Sequence, residues 1–136
     1  MYFTICIPTY NRGYILHRTL DSIKKQNFIS YEVIVVDDGS NDNTEEIVSH
    51  YIEPENSKFR YIKKPNGGKH SALNVGIENA RGLFFIILDS DDWLADDALQ
   101  KMYELCTTIE KDNSFCGIMG RMLEKQQGEI EGTLFD

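Results

Sequence analysis

Apolar and polar positions along this chain switch repeatedly between strand and helix periods. Tyr2-Phe3-Thr4-Ile5-Cys6-Ile7 reads as a strand stopped by Pro8. From about Tyr14 to Gln26, Leu16, Leu20 and Ile23 recur at i, i+4 and i+7, which is one face of a helix. Tyr31-Glu32-Val33-Ile34-Val35-Val36 is a second strand, nearly continuous in apolar character as buried parallel strands are. Asp42, three residues before Glu45, has the spacing of a capping box and opens a helix with Ile47, Val48, Tyr51 and Ile52 on one face. Phe59-Arg60-Tyr61-Ile62 is a short third strand, and Pro65-Asn66-Gly67-Gly68 turns the chain. A third helix is predicted over Lys69 to Asn79, carrying Leu73 and Ile77 and ended near Gly82. The apolar run Leu83 to Leu88 is a fourth strand. Asp96 or Asp97 then caps a longer helix with Ala98, Met102, Leu105 and Ile109 in register, and Phe115 to Met119 is a candidate fifth strand.

Strands alternating with helices predict an α/β fold, a mostly parallel central sheet with helices on both faces and right-handed crossovers. No repeat or low-complexity tract interrupts the pattern. The tail from Arg121 to Asp136 has weak periodicity. The expected organisation is a single domain over residues 1–136 that stops partway through a larger protein.

At 136 residues and 41% hydrophobic content the chain has enough apolar material for one core. A formal charge of -8 argues against nucleic acid as a partner, because binders of that backbone are usually basic. An anionic ligand would therefore need a metal or a few placed cations, and Lys63, Lys64 and Lys69 lie close in sequence. Cys6, Cys106 and Cys116 are odd in number and lack CxxC spacing, so buried free thiols and a reducing compartment are expected. The N-terminus shows no signal-peptide pattern, and no apolar run approaches ~20 residues. A cytoplasmic location is the expectation.

Composition leaves the chemistry open; one cluster narrows it. Asp89-Ser90-Asp91-Asp92 follows directly on the fourth apolar run. Like charges at close range repel and raise each other's pKa. A divalent cation relieves that repulsion, and Mg²⁺ tends to be held by one or two carboxylates plus substrate phosphates. The reading is a metal–diphosphate site at the end of a central strand. In parallel α/β sheets ligands bind outside the carboxyl ends of the strands, and each predicted strand here is followed by distinctive chemistry. Those segments are Pro8-Thr9-Tyr10-Asn11-Arg12, Asp37-Asp38-Gly39-Ser40, Lys63 to Lys69, and Asp89 to Asp92.

Each segment also has a plainer reading. Asp38-Gly39-Ser40 serves as a turn or offers a carboxylate to the imide N–H of a uracil-like base. Tyr10 is a half-exposed core aromatic or a ring that stacks on a base. Asn66-Gly67-Gly68 is a flexible turn, or it lets backbone N–H groups approach phosphate ahead of a helix N-terminus, with Lys69 adding a point charge. Asp92 can cap the turn before Trp93, itself a core residue or a wall of a sugar pocket. His17 and His70 read as surface or packing residues, and Arg12 is open between phosphate and solvent.

Taken together, Ile7-Pro8-Thr9-Tyr10-Asn11-Arg12, Val36-Asp37-Asp38-Gly39-Ser40 with Asp42 and Thr44, Gly67-Gly68-Lys69 with Ala72-Leu73-Asn74 and Gly76, and Leu88-Asp89-Ser90-Asp91-Asp92 resemble family 2 glycosyltransferases over about the first 110 residues. The resemblance implies a GT-A fold, Rossmann-like, with a nucleotide-diphosphate-sugar donor, UDP-linked by this likeness, and Mg²⁺ or Mn²⁺. It implies that Pro8, Thr9 and Tyr10 border the base and that Asp38 binds it. Gly68 and Lys69 would lie near the base or phosphates, and Asp89 with Ser90 would reach the ribose or sugar. Asp91, with Asp89, would ligate the metal in a DxD motif. Such enzymes invert the anomeric centre, using a carboxylate base that usually lies far downstream of that motif. Here Glu124, Glu129 and Glu131 read as solvated charges, so the base is expected beyond Asp136. The implied acceptor is a glycan or lipid-linked, which makes a peripheral place at the inner membrane face compatible with the reading.

Two other functions compete. A sugar-phosphate nucleotidyltransferase also pairs an α/β sheet with a carboxylate-bound metal, but would carry a Gly-rich basic loop after the first strand. A non-catalytic nucleotide-sugar-binding module would explain the missing base. Dehydrogenase and P-loop fingerprints are absent.

Overall fold

The computed structural model describes residues 1–55 and 57–109, together with the backbone of two short strands further on. The strands β1 (Phe3–Thr9), β2 (Tyr31–Asp37), β3 (Phe59–Lys63) and β4 (Phe84–Ile87) form one parallel sheet in the order β3-β2-β1-β4. Helices α1 (Gly13–Lys24), α2 (Thr44–Ser49) and α3 (Lys69–Asn79) connect them. Met1–Ala98 is one compact unit. Leu99–Asp136 is a second, containing most of α4 (Ala98–Ile109) and an antiparallel pair, β5 (Glu124–Gln126) and β6 (Glu129–Glu131). The candidate fifth strand at Phe115 to Met119, and Cys116, lie outside the described residues. No helix among the described residues is long and apolar enough to cross a membrane.

Every residue of β1 and β2 is buried, which explains their continuous apolar runs: a central parallel strand is covered on both faces. Cys6, Ile34, Val36 and Ala72 make one core cluster, with Phe85, Leu73 and Val75 against it, so α3 covers that face. On the other face the Tyr31 hydroxyl donates to the Ile23 carbonyl at 3.1 Å, bringing in α1. Cys6 and Cys106 are buried thiols, as expected, and burial pushes the Cys6 thiol up to about 11.

Three boundaries differ from expectation. Pro8 does not stop β1; it continues the ladder opposite Val36. Cys6 faces β4, accepting from Leu88 N, and Pro8 shares that side two residues on. β4 has ended there, at Ile87, so the missing N–H of proline costs no ladder bond. Second, the acidic loop follows an edge strand, not a central one: among the described residues β4 pairs only with β1. Phe84, Phe85 and Ile86 are half-buried and Ile87 is exposed. A short apolar run has the same period in either position, so the pattern could not separate them. Third, α2 ends at Ser49 rather than continuing through Ile52, and Asp42 makes no capping box. Its Oδ1 accepts from the Thr44 N–H at 3.1 Å and its Oδ2 from the Gly13 N–H at 3.0 Å, serving the first residues of α2 and α1 together.

Glu32, buried inside β2, is held by Arg60 Nη2 at 3.1 Å, the Thr4 hydroxyl at 2.8 Å and the Arg81 N–H at 2.7 Å. This fastens the α3–β4 connection at the amino end of the sheet, away from the four loops. The α3–β1 packing is close: a Cβ built on Gly76 would lie 2.3 Å from Cys6 Sγ. Gly76→Ala should therefore cost about 1–3 kcal/mol by overpacking, seen as a lower urea midpoint at unchanged slope. The double variant Gly76→Ala/Cys6→Ala should be no less stable than Gly76→Ala alone, because the clash is gone; additive losses would place the constraint elsewhere.

Candidate functional site

The carboxyl ends of β1, β2 and β3 are tied together by Asp37 and Asp38. The Asp38 N–H donates to the Thr9 carbonyl at 2.9 Å, and the Lys64 N–H to the Asp37 carbonyl at 2.9 Å. Asp37 Oδ1 accepts from the Ser40 N–H at 2.8 Å, and Oδ2 accepts from the Tyr61 hydroxyl. Burial and then that carboxylate push the Tyr61 hydroxyl well above its usual range. Asn11 sits in the left-handed region at φ 51, where Asn is tolerated. Its N–H reaches Ser40 Oγ at 2.8 Å and its Oδ1 accepts from the Asn41 N–H at 2.9 Å. The β1–α1 and β2–α2 loops are thereby one hydrogen-bonded body.

Asp38 extends this body to the third loop. Its buried carboxylate accepts from Lys64 Nζ at 2.6 Å and the Gly67 N–H at 2.9 Å on Oδ1, and from the Gly68 N–H at 2.7 Å on Oδ2. Gly39 and Gly68, at φ 86 and φ 90, take left-handed turns that a side chain would strain. Burial pushes the Asp38 carboxyl up, but the Lys64 hydrogen bond and the two glycine N–H groups outweigh it, leaving the group below the ordinary carboxylate range. A carboxylate has about four acceptor positions; these three bonds leave one, on Oδ2. At the end of β1, Thr9 Oγ1 is buried without a hydrogen-bond partner. Tyr10, next along the chain, is exposed.

At the end of β4, carboxylate oxygens of Asp89, Asp91 and Asp92 lie within 4.8 Å of one another. Burial, then the charges of Asp91 and Asp89, raises the Asp92 carboxyl above its usual range. Lys69 Nζ approaches Asp89 Oδ1 at 2.6 Å, and Arg12 Nη2 approaches Asp91 Oδ2 at 4.0 Å. Hard oxygen ligands at this spacing suit Mg²⁺ or Mn²⁺, so Asp89 and Asp91 can hold such an ion with Asp92 in reach. The Asp92 N–H also closes the turn on the Asp89 carbonyl at 3.0 Å.

The structure thus brings Asp38 to Gly68 and Lys69 to Asp89, while Ser90 is buried under α1 through its carbonyl. The cations that sequence proximity grouped are dispersed: Lys63 faces Glu45 at 3.5 Å, Lys64 faces Asp38, and Lys69 faces Asp89. Trp93 is exposed rather than core, with the Arg18 guanidinium 4.6 Å from its ring centroid. His17 and His70 are exposed. Sequence reasoning passed over Thr19, Ser22 and Gln26, which contact the acidic loop and the residues after it; the available signal was the polar Thr19 and Ser22 on the inner side of α1.

A parallel α/β sheet with a glycine-rich turn and a carboxylate cluster on its carboxyl edge has its chemistry where such sheets bind ligands. The glycosyl transferase family 2 model matches residues 4–130, and the chain belongs to that family. An uncharacterized glycosyltransferase of Mycoplasma pneumoniae, the MG025 homolog, is 40% identical over 104 residues, covering 74% of this chain and 34% of that protein. TarS of S. aureus, solved with UDP, superimposes with a TM-score of 0.75 at 30% identity, over 81% of this chain and 33% of that one. The mannosyltransferase PcManGT of Pyrobaculum calidifontis, solved with GDP-Man and Mn²⁺, gives 0.70 at 30% identity, over 76% and 32%. The fold is GT-A, as these neighbours are. The chain spans about a third of the length of each of these three proteins.

Asp38→Asn puts an amide donor among N–H groups and should cost about 1–3 kcal/mol, with faster hydrogen exchange at Gly67 and Gly68. Because the folded-state carboxyl titrates below its unfolded value, its stabilisation is present above about pH 4 and is lost as pH falls through the folded pKa. Protection of those two amides in the wild-type chain, taken relative to their intrinsic exchange rates, should therefore fall only under acid conditions.

Proposed function

We propose that this chain is the donor-binding domain, residues 1–136, of an inverting glycosyltransferase. In this reading the enzyme takes a sugar from a nucleotide diphosphate, with UDP as the nucleotide, and passes it to a glycan or lipid-linked acceptor. The observation that carries the reading is the placement of the Asp89–Asp91–Asp92 cluster on the same sheet edge as the Asp38–Gly67–Gly68 clamp, in a chain of family 2. UDP is favoured by the TarS complexes with UDP and UDP-GlcNAc. The GDP-Man complex of PcManGT makes the base a matter of local contacts rather than of fold.

Pro8, Thr9 and Tyr10 border the base in this reading, with the exposed Tyr10 ring available to stack. The remaining acceptor position of Asp38 takes the imide N–H, and the orphan Thr9 hydroxyl finds a partner on the bound base. The Gly68 N–H is already given to Asp38, so the approach of that glycine turn to the diphosphate is by its shape, while Lys69 faces the diphosphate with a point charge. Asp89 and Ser90 adjoin the ribose and sugar, and Asp89 and Asp91 hold Mg²⁺ or Mn²⁺. The bound ion supplies electrostatic stabilisation of the charge that grows on the departing diphosphate. The acceptor oxygen forms its bond to the anomeric carbon from the face opposite the breaking bond to the diphosphate, and its proton passes to a carboxylate base. In this reading the base comes from outside the segment matched here, which spans about a third of these relatives. The working location is the cytoplasm, with peripheral association at the inner membrane face when the acceptor is lipid-linked.

Calorimetric titration with UDP should show binding that requires Mn²⁺ and weakens at least about tenfold in Asp91→Ala, the loss that even outer-shell changes at metal sites produce. GDP and TDP titrated in parallel should bind more weakly. A folded wild-type chain that binds none of the three would overturn the donor-site reading. Metal-dependent binding by a longer chain that never turns over a UDP-sugar would leave a binding module instead of an enzyme.

A further inference from the structure

The acidic loop has little to hold it in place by itself. Its carboxylates repel one another, and its ion pairs are weak. Lys69 and Asp89 are 57% and 45% exposed, and the Arg12–Asp91 pair is stretched to 4.0 Å. The firmer hold comes from α1. Thr19, fully buried, aims its hydroxyl at the carbonyls of Ser90 at 3.0 Å and Asp92 at 2.6 Å. A hydroxyl has a single proton to donate, so Thr19 shares it between the carbonyls of the two residues on either side of Asp91. One turn later Ser22 Oγ accepts from the Leu94 N–H at 3.0 Å while donating to the Thr19 carbonyl at 2.7 Å. Gln26 Nε2 donates to the Ala95 carbonyl at 2.7 Å and to the Ser22 carbonyl at 3.1 Å. Thr19 and Ser22, at i and i+3, share one face of α1 and Gln26 lies just beyond its end; together they engage the backbone at 90, 92, 94 and 95. None of them contributes an atom to the carboxylate cluster.

The geometry points to Thr19 as a positioning residue for the metal held at Asp89 and Asp91, with Ser22 and Gln26 extending the same strut. Its hydroxyl fixes the peptide group that precedes Asp91 and the one that follows Asp92, bracketing the segment that presents the Asp91 carboxylate. This rests on the reading of the acidic cluster as a divalent-cation site. The effect should be of the size seen when groups behind metal ligands are removed, about 10–100-fold in affinity.

The test compares the full chain with Thr19→Val, which keeps the shape and loses the hydroxyl, and Thr19→Ser, which keeps the hydroxyl. Mn²⁺ binding is read from the electron paramagnetic resonance signal of the free ion, and uridine binding by calorimetry. Thr19→Val should bind Mn²⁺ about tenfold more weakly, with Thr19→Ser close to wild type and uridine affinity unchanged in both. Hydrogen exchange should rise at residues 91–95 of Thr19→Val and stay at wild-type rates at Gly67 and Gly68. Equal Mn²⁺ affinity in Thr19→Val and wild type would overturn the inference. So would a uniform rise in exchange across both loops, since that reports fold stability alone. If Thr19→Val does not fold, Ser22→Ala takes its place: weakened Mn²⁺ binding supports the strut and wild-type binding overturns it. A wild-type chain that binds uridine but no Mn²⁺ overturns the metal-site reading together with this inference. Wild-type Mn²⁺ binding that the variants leave unchanged removes the inference and spares that reading.

Discussion

The buried carboxylate of Asp38 is the constraint on which the carboxyl edge of this sheet depends. A charge removed from water must be compensated at close range or its group will neutralise. The compensation comes from Lys64 and from the N–H groups of Gly67 and Gly68. The same bonds that satisfy the charge decide where the β3–α3 loop lies. Gly68 is left at φ 90, immediately before α3 begins, so the clamp also sets the approach to the amino end of that helix. Asp37 does related work one residue earlier, holding Ser40 and Tyr61.

Around this clamp the edge divides into two parts with different electrostatics. Near β1, β2 and β3 the carboxylates are buried and hydrogen-bonded, with one acceptor position of Asp38 and the Thr9 hydroxyl left over. At the end of β4 the carboxylates crowd together and are only loosely paired. The first part suits neutral hydrogen-bonding edges such as those of a base, and the second suits a cation with phosphates around it. Helix α1 joins the two, since Gly13 at its start is held by Asp42 and Thr19 in its middle holds the acidic loop.

Much of this was legible in local pattern. α3 falls on Lys69–Asn79 as the apolar spacing and the preceding glycines predict, and all four strands stand where their apolar runs are. The segments proposed for chemistry do converge on one edge, because parallel strands all end on the same side. Pro8 misled because proline's usual effect depends on whether a neighbouring strand needs its N–H, which the sequence does not state. Of the two readings open for Trp93, the core one fails: indole size favours the core, yet here a guanidinium covers the ring at the surface.

By itself, the sequence determined the alternation of elements, the acidic cluster after the fourth strand and the family's motifs, since these rest on spacings of a few residues. Tertiary structure decided that β4 lies at an edge among the described residues, that Asp38 spends its charge on the glycine turn, and that α1 braces the acidic loop. The bonds responsible join residues 26 to 30 apart for the Asp38 clamp and 71 to 73 apart for Thr19. No local period encodes contacts at such separations; they exist only once the sheet has set its strands side by side.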